Sequence, residues 1–267
     1  IHLLEGHAMS RTLAFTLLVV LTACATDVQT TSGVDYLRRY EAAAVAAGGD
    51  SEMPDAVRQA ASVEPLLTLP ARFGLARIVN GGLTAIPENE EVLWSAFAAR
   101  HADLGAFVSI TPFTAGAAGS QRPSVQGDWS PEGRVQAVVE FIRQGAARQH
   151  VDAVLIYEVR VRTEDERTLL ALADFTIIGG AILPTRYVTA YGATDALLLD
   201  VRNGYPYGTA RAEVDIGSLT NMFDEYDTTR ELREAVMPEA VAALILEVDR
   251  MVGELVEEIA ARRVGEG

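Results

Sequence analysis

The chain has 267 residues and a formal charge of −15, and all of its 22 basic residues are arginine. The absence of lysine excludes a P-loop lysine, a lysine Schiff base and a Ser-Lys dyad, and the acidity argues against nucleic acid, whose phosphates need a cationic face. One cysteine, Cys24, excludes an internal disulfide and a thiolate metal cluster.

The N-terminal region reads as a targeting segment. Arg11 precedes an apolar run from Thr12 to Ala23, which Leu21-Thr22-Ala23-Cys24 closes. Twelve residues make roughly 18 Å of helix, too short for a hydrocarbon core of about 30 Å but suited to a signal-peptide core. The stretch resembles a bacterial lipoprotein signal over residues 9–23, with residues 1–8 expected to be a mis-started extension. That resemblance implies cleavage after Ala23 and acylation (palmitate among the acyl groups) of Cys24. With Ala25 following, it also implies sorting to the outer membrane, facing the periplasm. Stable attachment needs more than one acyl chain. Residues 24–69 then read as a lipid-anchored tether: Thr30-Thr31-Ser32-Gly33 and Gly48-Gly49-Asp50 are polar or flexible. Fully extended, these residues span on the order of 150 Å. Helices are expected near Asp35–Ala47 and after Pro54.

The folded domain is expected over residues 70–264. Arg72–Val79 reads as a strand ended by Asn80-Gly81-Gly82. Pro87 and the acids at 88, 90 and 91 start a helix whose apolar face is expected at Val92, Leu93, Ala96, Phe97 and Ala99. Gly105 closes it and Ala106–Thr111 is a second strand. Pro112–Pro131 reads as a loop, and Ser130-Pro131-Glu132 opens a helix with Val135, Val138, Val139, Ile142 and Ala146 inward. Val151–Tyr157 is apolar on both faces, and Glu158–Arg162 alternates, so the strand outruns its cover. A turn is expected at Glu164-Asp165-Glu166 and a return strand over Thr168–Ile178. Asn203-Gly204 closes a hairpin between Ala196–Arg202 and Tyr207–Ile216. A terminal helix from Thr228, kinked or restarted at Pro238, carries a stripe of Val241, Leu244, Ile245, Val248, Met251, Val252, Leu255 and Ile259, with Glu247 outside. The fold class is therefore α/β (α+β): a single mixed sheet of about five or six strands, helices packed on it, and a long C-terminal helix.

The helix entering Val151-Asp152-Ala153-Val154-Leu155, followed by Leu197-Leu198-Leu199-Asp200-Val201-Arg202-Asn203-Gly204, resembles a group of envelope lipoproteins. It includes the curli-export lipoprotein, penicillin-binding-protein activator lipoproteins and the amino-terminal domain of TolB. The resemblance implies a noncatalytic accessory, scaffold or regulator of an envelope assembly or export system, not an enzyme, with envelope proteins or a second copy as partners. No pore is implied, because long paired membrane-spanning hairpins are not evident.

Chemistry-bearing motifs are sparse. Past the signal, only His101 and His150 remain, and G-x-S-x-G, H-E-x-x-H and G-x-G-x-x-G do not occur. No cofactor, metal or catalytic residue is assigned. Asp152, Asp174 and Asp200 lie by strands and would do hydrolytic chemistry only if two converged in a cleft; otherwise they pair with arginines. Tyr205, Pro206 and Tyr207 are candidate partner contacts, against simple packing over the hairpin. The alternative to a scaffold is a periplasmic ligand-binding module with an apolar cleft under Pro112–Pro131.

Overall fold

The structure, a computed structural model, describes residues 26–46, 53–117, 131–167, 186–220 and 224–265. Among them, one seven-stranded mixed sheet runs in the order β1-β7-β6-β5-β2-β3, with β4 also paired to β2. The strands are β1 (Asp27–Val28), β2 (Ala71–Val79), β3 (Gly82–Thr84), β4 (Gly105–Ser109), β5 (Ala153–Arg167), β6 (Arg186–Asp200) and β7 (Pro206–Thr220). The helices are α1 (Gly33–Ala46), α2 (Asp55–Ala61), α3 (Glu88–Arg100), α4 (Pro112–Ala117), α5 (Pro131–Arg148) and α6 (Glu225–Gly265). The sheet has seven strands against the expected five or six; β1 and β3, which span two and three residues, were not among those expected.

Strand alternation assigns the two faces. Phe73, Leu75, Leu155, Tyr157, Leu198 and Ala210 point toward α3 and α6, forming one core with Trp94, Phe97, Leu244, Val248 and Met251. Ala76, Ile78, Val154, Ile156 and Leu199 point the other way, against Val138, Phe141, Ile142 and Ala146 of α5. Burial of each large side chain supplies about 1.5–3 kcal/mol. β5 lies between parallel β2 and antiparallel β6, buried on both faces near its start, as its apolar sequence requires.

Two glycines are demanded by geometry. Gly105 has φ 130°, and a Cβ there would stand 1.8 Å from the Ala71 carbonyl oxygen, inside the β2–β4 pairing. Asn80 and Gly81 take φ 52° and 73° in the tight β2–β3 turn.

Several expectations are corrected. Glu164, Asp165 and Glu166 do not turn; they continue β5 opposite Thr189, Val188 and Tyr187. The return strand expected over 168–178 lies outside the described residues, and the observed partner of β5 begins at Arg186. Pro112–Ala117 is helical: the Thr111 hydroxyl accepts from the Thr114 amide (3.2 Å) while the Thr114 hydroxyl accepts from the Thr111 amide (2.9 Å), a reciprocal cap. On α3 the inward face is Glu90, Trp94 and Phe97, at i, i+4 and i+7, whereas Val92 is 64% exposed. α6 runs through Pro238 without a restart, and Glu247 is buried within it.

The segment read as a tether is joined to the domain. β1 pairs antiparallel with β7, Asp27 opposite Thr209 and Val28 opposite Gly208. The Gln29 amide donates to the Tyr207 carbonyl at 2.9 Å, and Glu64 accepts from Ser32 Oγ and the Val34 amide. Gly33 is buried, with the Ala61 carbonyl oxygen 2.5 Å from where a Cβ would sit.

Candidate functional site

The Asn203 turn, expected to offer Tyr205, Pro206 and Tyr207 to a partner, faces inward instead. Tyr205 and Tyr207 are buried, and only Pro206 is exposed. Gly204 takes φ 77°, and the chain then re-enters the sheet with Tyr205 and Tyr207 on its inner side. Their rings lie 5.1 Å apart. Each hydroxyl is committed to the chain itself. Tyr205 donates to the Thr31 carbonyl (2.8 Å), while Tyr207 donates to Asp200 Oδ2 (2.8 Å) and accepts from the Leu66 and Leu67 amides (2.9 and 2.7 Å). Asn203 Nδ2 donates to the Glu64 carbonyl at 2.7 Å. The turn therefore clamps residues 31 and 64–67 and presents no aromatic surface.

Asp200, one of the three strand aspartates, is fully buried at the centre of this clamp. Burial pushes its carboxyl upward. The Arg202 guanidinium (2.7 and 3.0 Å), the Tyr207 hydroxyl, the Arg202 amide (2.9 Å) and the Arg202 charge together outweigh it and hold the group below the usual carboxylate range. Burial raises both tyrosines, Tyr205 to about 12. Asp152 ties strand ends, its Oδ2 accepting from the Arg72 amide at 2.8 Å and its carbonyl from the Val201 amide at 3.0 Å. Asp174 lies outside the described residues. Asp200 thus has the arginine pairing that the sequence offered as the alternative to hydrolytic chemistry. His101 bonds Asp249 of α6 at 2.7 Å, joined there by Arg100 at 2.6 Å, and His150 is a positive-φ residue (55°) after α5.

Sequence reasoning missed a second buried polar cluster. Arg77 donates to both Glu90 oxygens (2.7 and 2.6 Å) and to Thr84 Oγ1 (3.2 Å), while the Tyr157 hydroxyl donates to Glu90 at 2.9 Å. Burial, followed by the Glu90 charge, raises Tyr157 strongly. The signal was a lone arginine inside the apolar run of β2. With Trp94 packed on Tyr157 at 5.1 Å, the cluster bolts α3 to the sheet. Against α6, an apolar cavity of about 20 Å³ lined by Phe73, Phe97, Phe107, Leu198 and Met251 has room for roughly one water, not for a ligand.

The face with site-like form is the α5 side of β5–β7. Among the described residues, α5 covers β2 and the start of β5 but leaves the outward positions of β6 and β7 accessible. A groove of about 900 Å³ lies there, with Val135 and Val139 of α5 on one wall. Register sets its floor in cross-strand rows: Ile156–Leu197–Thr209, then Glu158–Asp195–Arg211, then Arg160–Ala193–Glu213. Asp195 accepts from Arg160 and pairs with Arg211 at 3.8 Å; Arg160 also bonds Glu158 at 3.1 Å, and Arg211 bonds Glu213. Further along, Arg162 stacks over Tyr191 at 4.9 Å. These pairs are solvent-facing and add little stability. The floor combines apolar, acidic and arginine groups with no nucleophile–base pair. Among the described residues no three His, Cys, Asp or Glu side chains are grouped to hold a metal, and no helix is long and apolar enough to cross a membrane.

The architecture defines a class: an α+β domain with one sheet which, among the described residues, packs α3 and α6 on one face and α5 on part of the other. No family model matches the chain, and no curated protein matches it. Solved structures similar to it include the LpoB C-terminal domain from Salmonella enterica, at 14% identity over 56% of this chain and 85% of that one, TM-score 0.28. Another is the PelC dodecamer from Paraburkholderia phytofirmans, at 12% over 68% and 89%, TM-score 0.29. Lipoprotein GNA1162 from Neisseria meningitidis matches at 14% over 62% and 98%, TM-score 0.27. Of these three, GNA1162 is itself a lipoprotein.

Proposed function

We propose that this protein is a noncatalytic lipoprotein, anchored through Cys24 in the outer membrane after cleavage at Ala23. It serves as an accessory, scaffold or regulator of an envelope assembly or export system. The observation that carries this reading is that, among the described residues, α5 covers only part of its face of the sheet. A mixed-charge groove flanks α5, while the buried Arg77, Glu90, Asp200 and Glu247 are committed to structural pairs. In the groove the arginines and carboxylates lie in rows along extended strands, a pattern suited to a protein surface of alternating charge. Solvent-facing charges of this kind set association rate and partner choice more than affinity.

The test is charge reversal in the row that crosses all three strands. Asp195→Arg and Arg211→Asp, made singly, should reduce co-purification of one specific envelope protein from crosslinked cells while leaving the melting temperature unchanged. The double exchange should restore part of it. A partner retained equally by all three variants would move the interface away from this groove. A small molecule in place of a protein partner would support the ligand-binding alternative.

A further inference from the structure

We infer that the lipid anchor is on a leash of three residues, so that the β1/β7 edge of the sheet is the side of the domain held against the bilayer. The inference rests on acylation of Cys24, as proposed above. Its physical basis is covalent reach: from Cys24 to Asp27 the backbone spans at most about 11 Å. Asp27 is already part of the sheet, paired with Thr209.

The attachment is made at successive points. The Gln29 amide and side chain donate to the carbonyls of Tyr207 (2.9 Å) and Pro206 (3.0 Å). Thr30 Oγ1 donates to Glu258 of α6 at 2.9 Å, and the Thr31 carbonyl takes the Tyr205 hydroxyl. Ser32 and Val34 are held by Glu64. The receiving strand is shaped for this guest. At Gly208 a Cβ would come within 2.8 Å of the Asp27 carbonyl oxygen and 2.9 Å of Met251, so any larger residue pushes β1 away. Residues 28–34 are therefore held on the domain and not paid out as a tether.

Strand order gives the leash an orientation. β1 stands at one end of the path and β3 at the other, five inter-strand steps away, or roughly 24 Å at about 4.8 Å each. The β1/β7 side is therefore the near side and the β3 side the far side.

The processed chain, beginning at Cys24, has one thiol and can be coupled there to a maleimide-headgroup lipid in a supported bilayer. Neutron reflectometry then reads the hydrated gap between headgroups and protein. The expected gap is about 10 Å or less. Inserting 20 Gly/Ser residues between Ala25 and Thr26 should widen it to about 25 Å, and Gly208→Val should widen it by releasing β1. A gap in the parent protein as wide as that of the linker variant would overturn the inference. Natural acylation is read separately, by mass spectrometry of the N-terminal peptide from native envelopes. An unmodified Cys24 would overturn the anchor reading and leave the measured leash standing, so the two failures are distinguishable.

Discussion

Tyr207→Phe removes one oxygen and tests whether the Asn203 turn is an internal clamp. A hydroxyl has one donor and two acceptor positions, and here all three are used, on Asp200, Leu66 and Leu67. Leu67 is fully buried, so its orphaned amide should cost about 1–3 kcal/mol. The Leu66 amide, in a residue that is 43% exposed, can turn to water, and its loss should cost about 0.5–1 kcal/mol. The bond to the Asp200 carboxylate contributes about 1.5–3 kcal/mol. Arg202 still compensates Asp200, so the lower part of the combined range applies, about 3–4 kcal/mol. With a urea m-value of about 2–3 kcal/mol/M for a domain of this size, the midpoint should fall by roughly 1–2 M. The assay is equilibrium urea unfolding followed by far-UV circular dichroism on the processed chain. A loss under about 1 kcal/mol at unchanged m would refute the clamp and return Tyr207 to the surface.

Gly105→Ala should destabilise the domain by more than about 3 kcal/mol, because positive φ and the Ala71 carbonyl both oppose a Cβ; a melting curve like the parent's would contradict this. Arg77→Met or Glu90→Gln alone should cost about 3–5 kcal/mol in denaturant unfolding, and the double variant should recover part of that loss, since each single change strands a buried polar partner. The lowered Asp200 carboxyl contributes stability that is present above its unfolded value of about 4 and is lost as pH falls through its lower folded value. Acid unfolding should therefore be shallower in Asp200→Asn. For Tyr205, raised to about 12, the corresponding stability is complete below about pH 10 and disappears as pH rises through 12. Phenolate absorbance should show Tyr157, Tyr205 and Tyr207 ionising only with alkaline unfolding.

Periodicity made the long elements legible. The α6 stripe from Val241 to Ile259 was visible because its 3.6-residue spacing is uninterrupted, and β5 because an apolar run on both faces suits a central strand. The α3 face was misplaced for a physical reason: Glu90 counted as a first-turn acid, but bidentate pairing with Arg77 lets a carboxylate occupy a core position. β1 and β3 are too short to show alternation, and they exist because neighbours offer an open edge. The inward turn of Tyr205 and Tyr207 depends on Asp200, which lies near in sequence, and on Leu66 and Leu67, which lie about 140 residues away. Only the fold brings these together. The groove was half-visible as the alternation of Glu158–Arg162, whose outward face implied a strand longer than its helix cover.

The measurement that bears most directly on the proposed function is site-specific photocrosslinking in intact envelopes. A photoreactive residue at Glu213, on the groove floor, is compared with one at Val92, on the exposed face of α3. An interface at the groove predicts a single discrete adduct from position 213, identified by mass spectrometry as one envelope protein, lost on Asp195→Arg and absent from position 92. An adduct formed equally from both positions, or from position 92 alone, would contradict it.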